Sequence, residues 1–221
     1  NGLSGFCSSS SGGWLPLLCT MNCTVATEFV RGLFNFSISD LDEASSKAPC
    51  GSEGVIVLPF FNGERTPNLP NGRASITGLT TANTNKENIC RASMESAVFA
   101  MRGGLDAFRK LGFEPKEIRL IGGGSKSATW RQIAADIMNL PVRVPVLDEA
   151  AALGAAVQAL WCLESEKTGK TADIAELVER YGAKKPARKS TAKRSSTKKC
   201  EAEQAVAEKK VRKCVKKSEK K

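Results

Sequence analysis

The stretch IRLIGGGSKSATWRQIAADIM, Ile118 to Met138, constrains the fold more than any other part of the chain. The short run EIRLI, rich in apolar and β-branched side chains, reads as a strand. Trp130, Ile133, Ala134, Ile137 and Met138 then recur at the spacing of one helix face. Three consecutive glycines, Gly122, Gly123 and Gly124, join the two. A second apolar run, VRVPV (Val142 to Val146), and a second helical run, DEAAALGAAVQALW, follow at once. Strand, helix, strand, helix in such short alternation specifies layered α/β structure.

The upstream half supplies the rest of the layers. Residues 1–13 are rich in Gly and Ser and read as a loop. Leu18, Met21, Val25, Phe29 and Leu33 predict an amphipathic helix that starts after Pro16 and closes between Gly32 and Asn35. SDLDEASSKAPCGSEG predicts a short helix and a loop, and VIVLPFF (Val55 to Phe61) a buried strand broken at Pro59. NGERTPNLPNGRAS is a long turn-rich loop, a kind that commonly carries function. Thr84 and Glu87 have the spacing of a capping box that opens a helix running to Leu111 and ending at Gly112. Its predicted inward stripe is Ile89, Ser93, Ala97, Ala100, Gly104, Ala107 and Leu111, small enough for a neighbouring helix to lie very close. TADIAELVERY predicts a last amphipathic helix.

Composition changes character after Tyr181. Of the 33 Lys and Arg, 16 lie in 184–221, with only 4 of the 23 Asp and Glu. The remainder holds 17 basic against 19 acidic residues, so the net charge of +10 is a tail of +12 on a body of −2. The segment 182–221 is aromatic-free and too polar to offset its ordering entropy, which predicts disorder. Such a charge block is most often a solvated tail. Its functional alternative is contact with nucleic-acid phosphates, sequence-independent because no aromatic side chains are there to stack on bases.

Eight cysteines without a CxxC pair and without a single His give no zinc-ligand set, so reduced thiols and a cytoplasmic setting are expected. No apolar run reaches the ~18 residues of a membrane-spanning helix. The chain opens without Met and without the positive region of a secretory leader, so a processed or an incomplete chain is expected.

The glycines themselves leave two readings open. Without a Cβ, Gly122, Gly123 and Gly124 let backbone N–H groups approach an anion beside a helix N-terminus. The motif is neither GxGxxG nor GxxxxGK[ST], and a tight strand-to-helix turn has the same composition.

Neighbouring segments carry a resemblance. Ala74, Ile76, Gly78, Leu79, Asn88, Ile89, Ala92, Ser93, Met94 and Glu95 match the second signature of the FGGY carbohydrate kinases. NGERTP (Asn62 to Pro67) is similar to a segment typical of the xylulose-phosphorylating branch of that family. LIGGGSKSATWRQIAADIMNLPV resembles the family's adenine-nucleotide loop, and EAAALGAAVQALW its late Ala/Gly-rich helix. The four lie in family order across about residues 14–163.

The resemblance implies an actin-like ATPase (ribonuclease H-like) fold, with residues 14–181 forming the C-terminal, nucleotide-binding domain. It implies ATP and Mg²⁺ as cofactors, and ATP or ADP held by Gly122, Gly123, Gly124 and Ser127. Many relatives have Asn in place of Ser127. Asn22 falls near another nucleotide-contacting segment. Phosphoryl transfer also needs a carboxylate to take the acceptor's proton. The family's catalytic Asp lies in the other half, so no catalytic residue and no metal ligand is expected in this chain. Glu64 is read as a structural or cleft-lining residue, because an acid flanked by Arg65 is more often ion-paired than a free base. The sugar, implied to be D-xylulose, would be bound through an N-terminal domain this chain lacks. Ribulose, glycerol or gluconate as substrate, a nucleotide-binding protein without kinase activity, and a homodimeric assembly stay open at this point.

Overall fold

The computed structural model describes residues 3–7, 12–145 and 149–181. The basic segment 182–221 lies outside them, as do Cys200 and Cys214.

The chain opens with a hairpin of β1 (Leu3–Cys7) and β2 (Trp14–Leu18), antiparallel in the register Leu3↔Leu18 and Cys7↔Trp14. Both predictions for this region are corrected. The first 13 residues contain a strand, and the helix expected after Pro16 starts only at α1 (Cys23–Leu33). Pairing across the hairpin overrides the helical spacing that Leu18 shares with Met21, as tertiary context does for short apolar runs.

Helix α1 also buries a different face from the one predicted, turned by about one residue around the helix. Ala26, Thr27 and Val30 are buried, while Met21, Phe29 and Leu33 are 45%, 47% and 59% exposed. Small residues face inward because α1 packs closely against the long helix α3 (Lys86–Lys110). Helix α2 (Ile38–Lys47) starts at a capping box, with Ser37 Oγ accepting from the Asp40 amide and Asp40 accepting from the Ser37 amide.

Helix α3 is the centre of the molecule, and α1, α2 and α4 (Ala128–Met138) all pack on it. Its N-cap is Asn85, whose side chain accepts from the Asn88 amide at 2.8 Å, so the predicted Thr84 box is displaced by one residue. Thr84 instead donates its hydroxyl to Thr80 O. Arg109 and Lys110 in its last turn oppose the negative end of the helix dipole. Of the predicted stripe, Ile89, Ser93, Ala97 and Gly104 are buried, whereas Leu111 is 61% exposed beyond the last turn.

Strands β3 (Ile56–Leu58) and β4 (Ser75–Thr77) pair antiparallel, and β5 (Ile118–Arg119) pairs parallel with β6 (Val142–Arg143). Helix α4 is the crossover between β5 and β6, and its predicted face is correct throughout. Trp130, Ile133, Ala134, Ile137 and Met138 are all buried, in one core cluster with Val30, Val57, Met94, Ala97 and Val142. Helix α5 (Ala150–Thr168) and helix α6 (Ile174–Tyr181) pack on each other, and Trp161 Nε1 donates to Ala172 O at 2.8 Å. Among the described residues no helix is long and apolar enough to cross a membrane.

Candidate functional site

The three glycines have three different reasons to be glycine. Gly122 sits at φ 85°, ψ −174°, a region essentially closed to residues with a Cβ. Gly124 lies against the Trp130 ring, where an added Cβ would meet Cε3 at 3.4 Å. Gly123 is exposed, and an added Cβ would meet no heavy atom of the described residues within 4 Å. The fold therefore requires Gly122 and favours Gly124, but makes no demand on Gly123. Open space above an exposed glycine backbone is what an incoming anion needs.

The glycines do not run straight into the helix, as the sequence suggested. Strand β5 ends at Arg119, and Gly123–Lys126 form a turn of 3-10 helix before α4 begins. Ser125 Oγ closes the turn onto Gly122 O at 2.7 Å. Arg131 Nη1 reaches back to Ser125 O at 2.7 Å and Lys126 O at 3.1 Å, holding the turn from below. The N-cap of α4 is Ser127, whose Oγ accepts from the Trp130 amide at 2.9 Å. The same hydroxyl donates its hydrogen to Asp42 Oδ1 on α2. Sequence reading missed Asp42, 85 positions away, and no spacing pattern could have found it. Arg131 is an unremarked charge for another reason: its partners, five and six positions back, are backbone carbonyls that no residue pattern names.

Asn22 stands at the N-terminus of α1, 2% exposed, and its hydrogen bonds run to a different loop from the glycines. Its Nδ2 donates to Gly63 O at 2.6 Å and to Glu64 Oε2 at 3.0 Å, and its Oδ1 accepts from the Asn62 amide at 3.4 Å. Asn22 thus ties α1 to the GERTP loop. Glu64, also 2% exposed, takes the Met21 amide at 2.8 Å and the Arg65 amide at 2.7 Å on Oε1. The expected ion pair with the Arg65 side chain is corrected: Arg65 points outward, and backbone and amide N–H groups hold the carboxylate instead. A carboxylate can be buried without a cation when several N–H groups solvate it.

The matched signature residues hold together the segments around residues 51–54 and 78–95. Gly78 has φ 79°, and a Cβ there would lie 2.1 Å from Gly54 O. Asn88 Nδ2 donates to Glu53 Oε2 at 2.8 Å and Asn83 O at 3.0 Å. Glu95 accepts from Arg91 Nε at 2.8 Å, from the Gly51 amide at 3.0 Å and from Ser52 Oγ at 3.3 Å. Burial pushes the Glu95 carboxyl above the usual carboxylate range, opposed by the Arg91 guanidinium and these donors. The signature's polar residues are spent inside the fold, which fits a scaffolding part rather than a chemical one. Among the described residues no three His, Cys, Asp or Glu side chains gather as a metal site.

The fold is the mixed α/β actin-like kinase fold. The chain belongs to the FGGY family of carbohydrate kinases, whose C-terminal domain matches residues 7–163. It is 52% identical over 159 residues to the xylulose kinase of Haemophilus influenzae, covering 72% of this chain and 32% of that protein. The crystal structure of xylulose kinase from Bifidobacterium adolescentis superposes with TM-score 0.72 at 33% identity, covering 93% of this chain and 38% of that one. A kinase structure from Brucella ovis reaches TM-score 0.80 at 24% identity over 96% of this chain and 42% of that one, a likeness of fold alone. The chain spans about a third of the length of the curated relatives it matches.

Proposed function

We propose that this chain is the nucleotide-binding portion of an ATP-dependent sugar kinase that converts D-xylulose to D-xylulose 5-phosphate. The observation that carries the nucleotide assignment is Gly123, an exposed glycine that the fold does not require, in the loop that resembles an adenine-nucleotide loop. The 52% identity to a xylulose kinase favours xylulose over ribulose, glycerol or gluconate.

In this reading the phosphates lie along the backbone of Gly122, Gly123 and Gly124, and Ser127 meets the nucleoside. Asn22 acts through the position of α1 and the GERTP loop, because its amide already serves Gly63, Glu64 and Asn62. The chain's residues bind and orient; the carboxylate that takes the sugar's proton and most of the sugar contacts belong to the remainder of the kinase. Mg²⁺ neutralises the phosphates when bound. It typically keeps water and phosphate oxygens as most of its ligands, so no residue described here is assigned to it.

The test is a calorimetric titration of the chain with ADP, beside Gly123→Asp. Adding a carboxylate where nothing blocks it should leave the melting point within a few degrees and cut ADP affinity at least ~10-fold, one like-charge contact's worth. Equal affinity in the two proteins means the glycines form only a turn. The sugar assignment is tested on the longer polypeptide by ATP-coupled ADP release, which xylulose should drive faster than glycerol or gluconate.

A further inference from the structure

Ser127 has one hydrogen and two lone pairs to offer. Its hydrogen goes to Asp42 Oδ1 and one lone pair takes the Trp130 amide. Asp42 stands on α2, a different element from the loop, and is half-buried where α2 and α4 touch. A carboxylate without a proton accepts and cannot donate. With Asp42 in place the Ser127 hydroxyl cannot turn its hydrogen outward, and only a single lone pair is left for a ligand.

We infer that Asp42 is a positioning residue that makes Ser127 an acceptor only, so that the loop selects a nucleoside presenting a hydrogen-bond donor at that point. The inference rests on the nucleotide reading above. Charge supports the same orientation, since an anionic side chain bonded to Ser127 repels phosphate there. The phosphates are then left to the Gly122–Gly124 backbone, and the uncharged nucleoside faces Ser127. A nucleoside carries two kinds of donor, the exocyclic amine of the base and the ribose hydroxyls. Either would satisfy the lone pair, whereas an acceptor in the same place would face it oxygen to oxygen.

The experiment is calorimetric titration of the 221-residue chain with ADP, with IDP (6-oxo in place of 6-amino) and with 2′-O-methyl and 3′-O-methyl ADP, which keep the ribose oxygen as an acceptor and lose its hydrogen. Wild type, Asp42→Ala and Ser127→Thr are compared. Wild type should bind ADP about tenfold more tightly than whichever analogue lacks the sensed donor, the worth of one neutral hydrogen bond. Loss with IDP identifies the base amine, and loss with an O-methyl analogue identifies the ribose. Ser127→Thr, which keeps the hydroxyl, should preserve that ratio. Asp42→Ala frees the hydroxyl to donate and should bring it within about twofold. A merely structural role would weaken all four ligands alike and leave the ratio unmoved. An unchanged ratio in Asp42→Ala, or equal binding of all four by wild type, overturns the inference while the nucleotide site stands. No binding of any nucleotide by wild type overturns the nucleotide reading itself. If circular dichroism shows Asp42→Ala unfolded, Ser127→Ala takes its place: removing the acceptor should abolish the preference, and a retained preference refutes it.

Discussion

Glu64 shows how a charged side chain can be committed to shape. Its two oxygens collect the Met21 and Arg65 amides and the Asn22 side chain, gathering the loop after β3 onto the start of α1. The sequence placed an Arg beside it, and an ion pair was the natural expectation. What decides otherwise is geometry invisible to spacing, because Met21 and Asn22 come from more than forty positions away. Glu64→Gln keeps size and removes the charge, but sets an NH₂ group against a site that supplies only donors. It should destabilise the chain by about 1–3 kcal/mol, the cost of a buried polar group with the wrong partner. Urea denaturation followed by circular dichroism reads this directly. An unchanged midpoint would mean the carboxylate is solvated from outside and not held as described.

At the scale of elements, legibility depended on what each helix leans against. The α4 face was readable because large apolar residues fill the space toward α3 and β6, so burial follows side-chain size. The α1 face was not, because close approach to α3 selects Ala26, Thr27 and Val30 and turns Phe29 and Leu33 outward. The β1–β2 hairpin was missed for a third reason: only its pairing partner makes Trp14–Leu18 a strand. Within the site, the glycine loop was legible as a segment, while its brace by Asp42 and Arg131 was not. Two glycines test the same logic of contact. Gly103 is exposed on α3, and a Cβ there would meet no heavy atom of the described residues within 4 Å. Gly103→Ala should therefore stabilise the chain by about 0.5–1 kcal/mol through helix propensity. Gly78→Ala meets both a left-handed backbone and the Gly54 carbonyl at 2.1 Å, and should cost about 3 kcal/mol or more. Opposite shifts in the thermal midpoint are the expected pair. A destabilised Gly103→Ala would mean that this face of α3 is covered by something beyond the described residues.

For the molecule as a whole, charge divides the chain more sharply than any structural boundary. Residues 184–221 carry a net +12, and everything before them a net −2. A nearly neutral body has little long-range attraction for a polyanion, so any retention on DNA must come from the basic segment. Because released counterions drive such binding, its affinity should fall steeply with salt, with a slope set by how many phosphates are neutralised. The proposed ADP contacts at Gly123 and Ser127, in contrast, are short-range and sit on a loop built by residues 122–131. Deleting 182–221 should therefore abolish retention on a double-stranded DNA column at low salt while leaving ADP affinity within about twofold, below the worth of one hydrogen bond. Column elution and calorimetry on the same two proteins make the comparison. If the full chain passes through the column unretained, the basic segment is a solvated tail without affinity for nucleic acid. If ADP affinity falls with the deletion, the basic segment reaches the nucleotide, most simply as a Lys or Arg on its phosphates. The glycine loop would then be only part of the cradle.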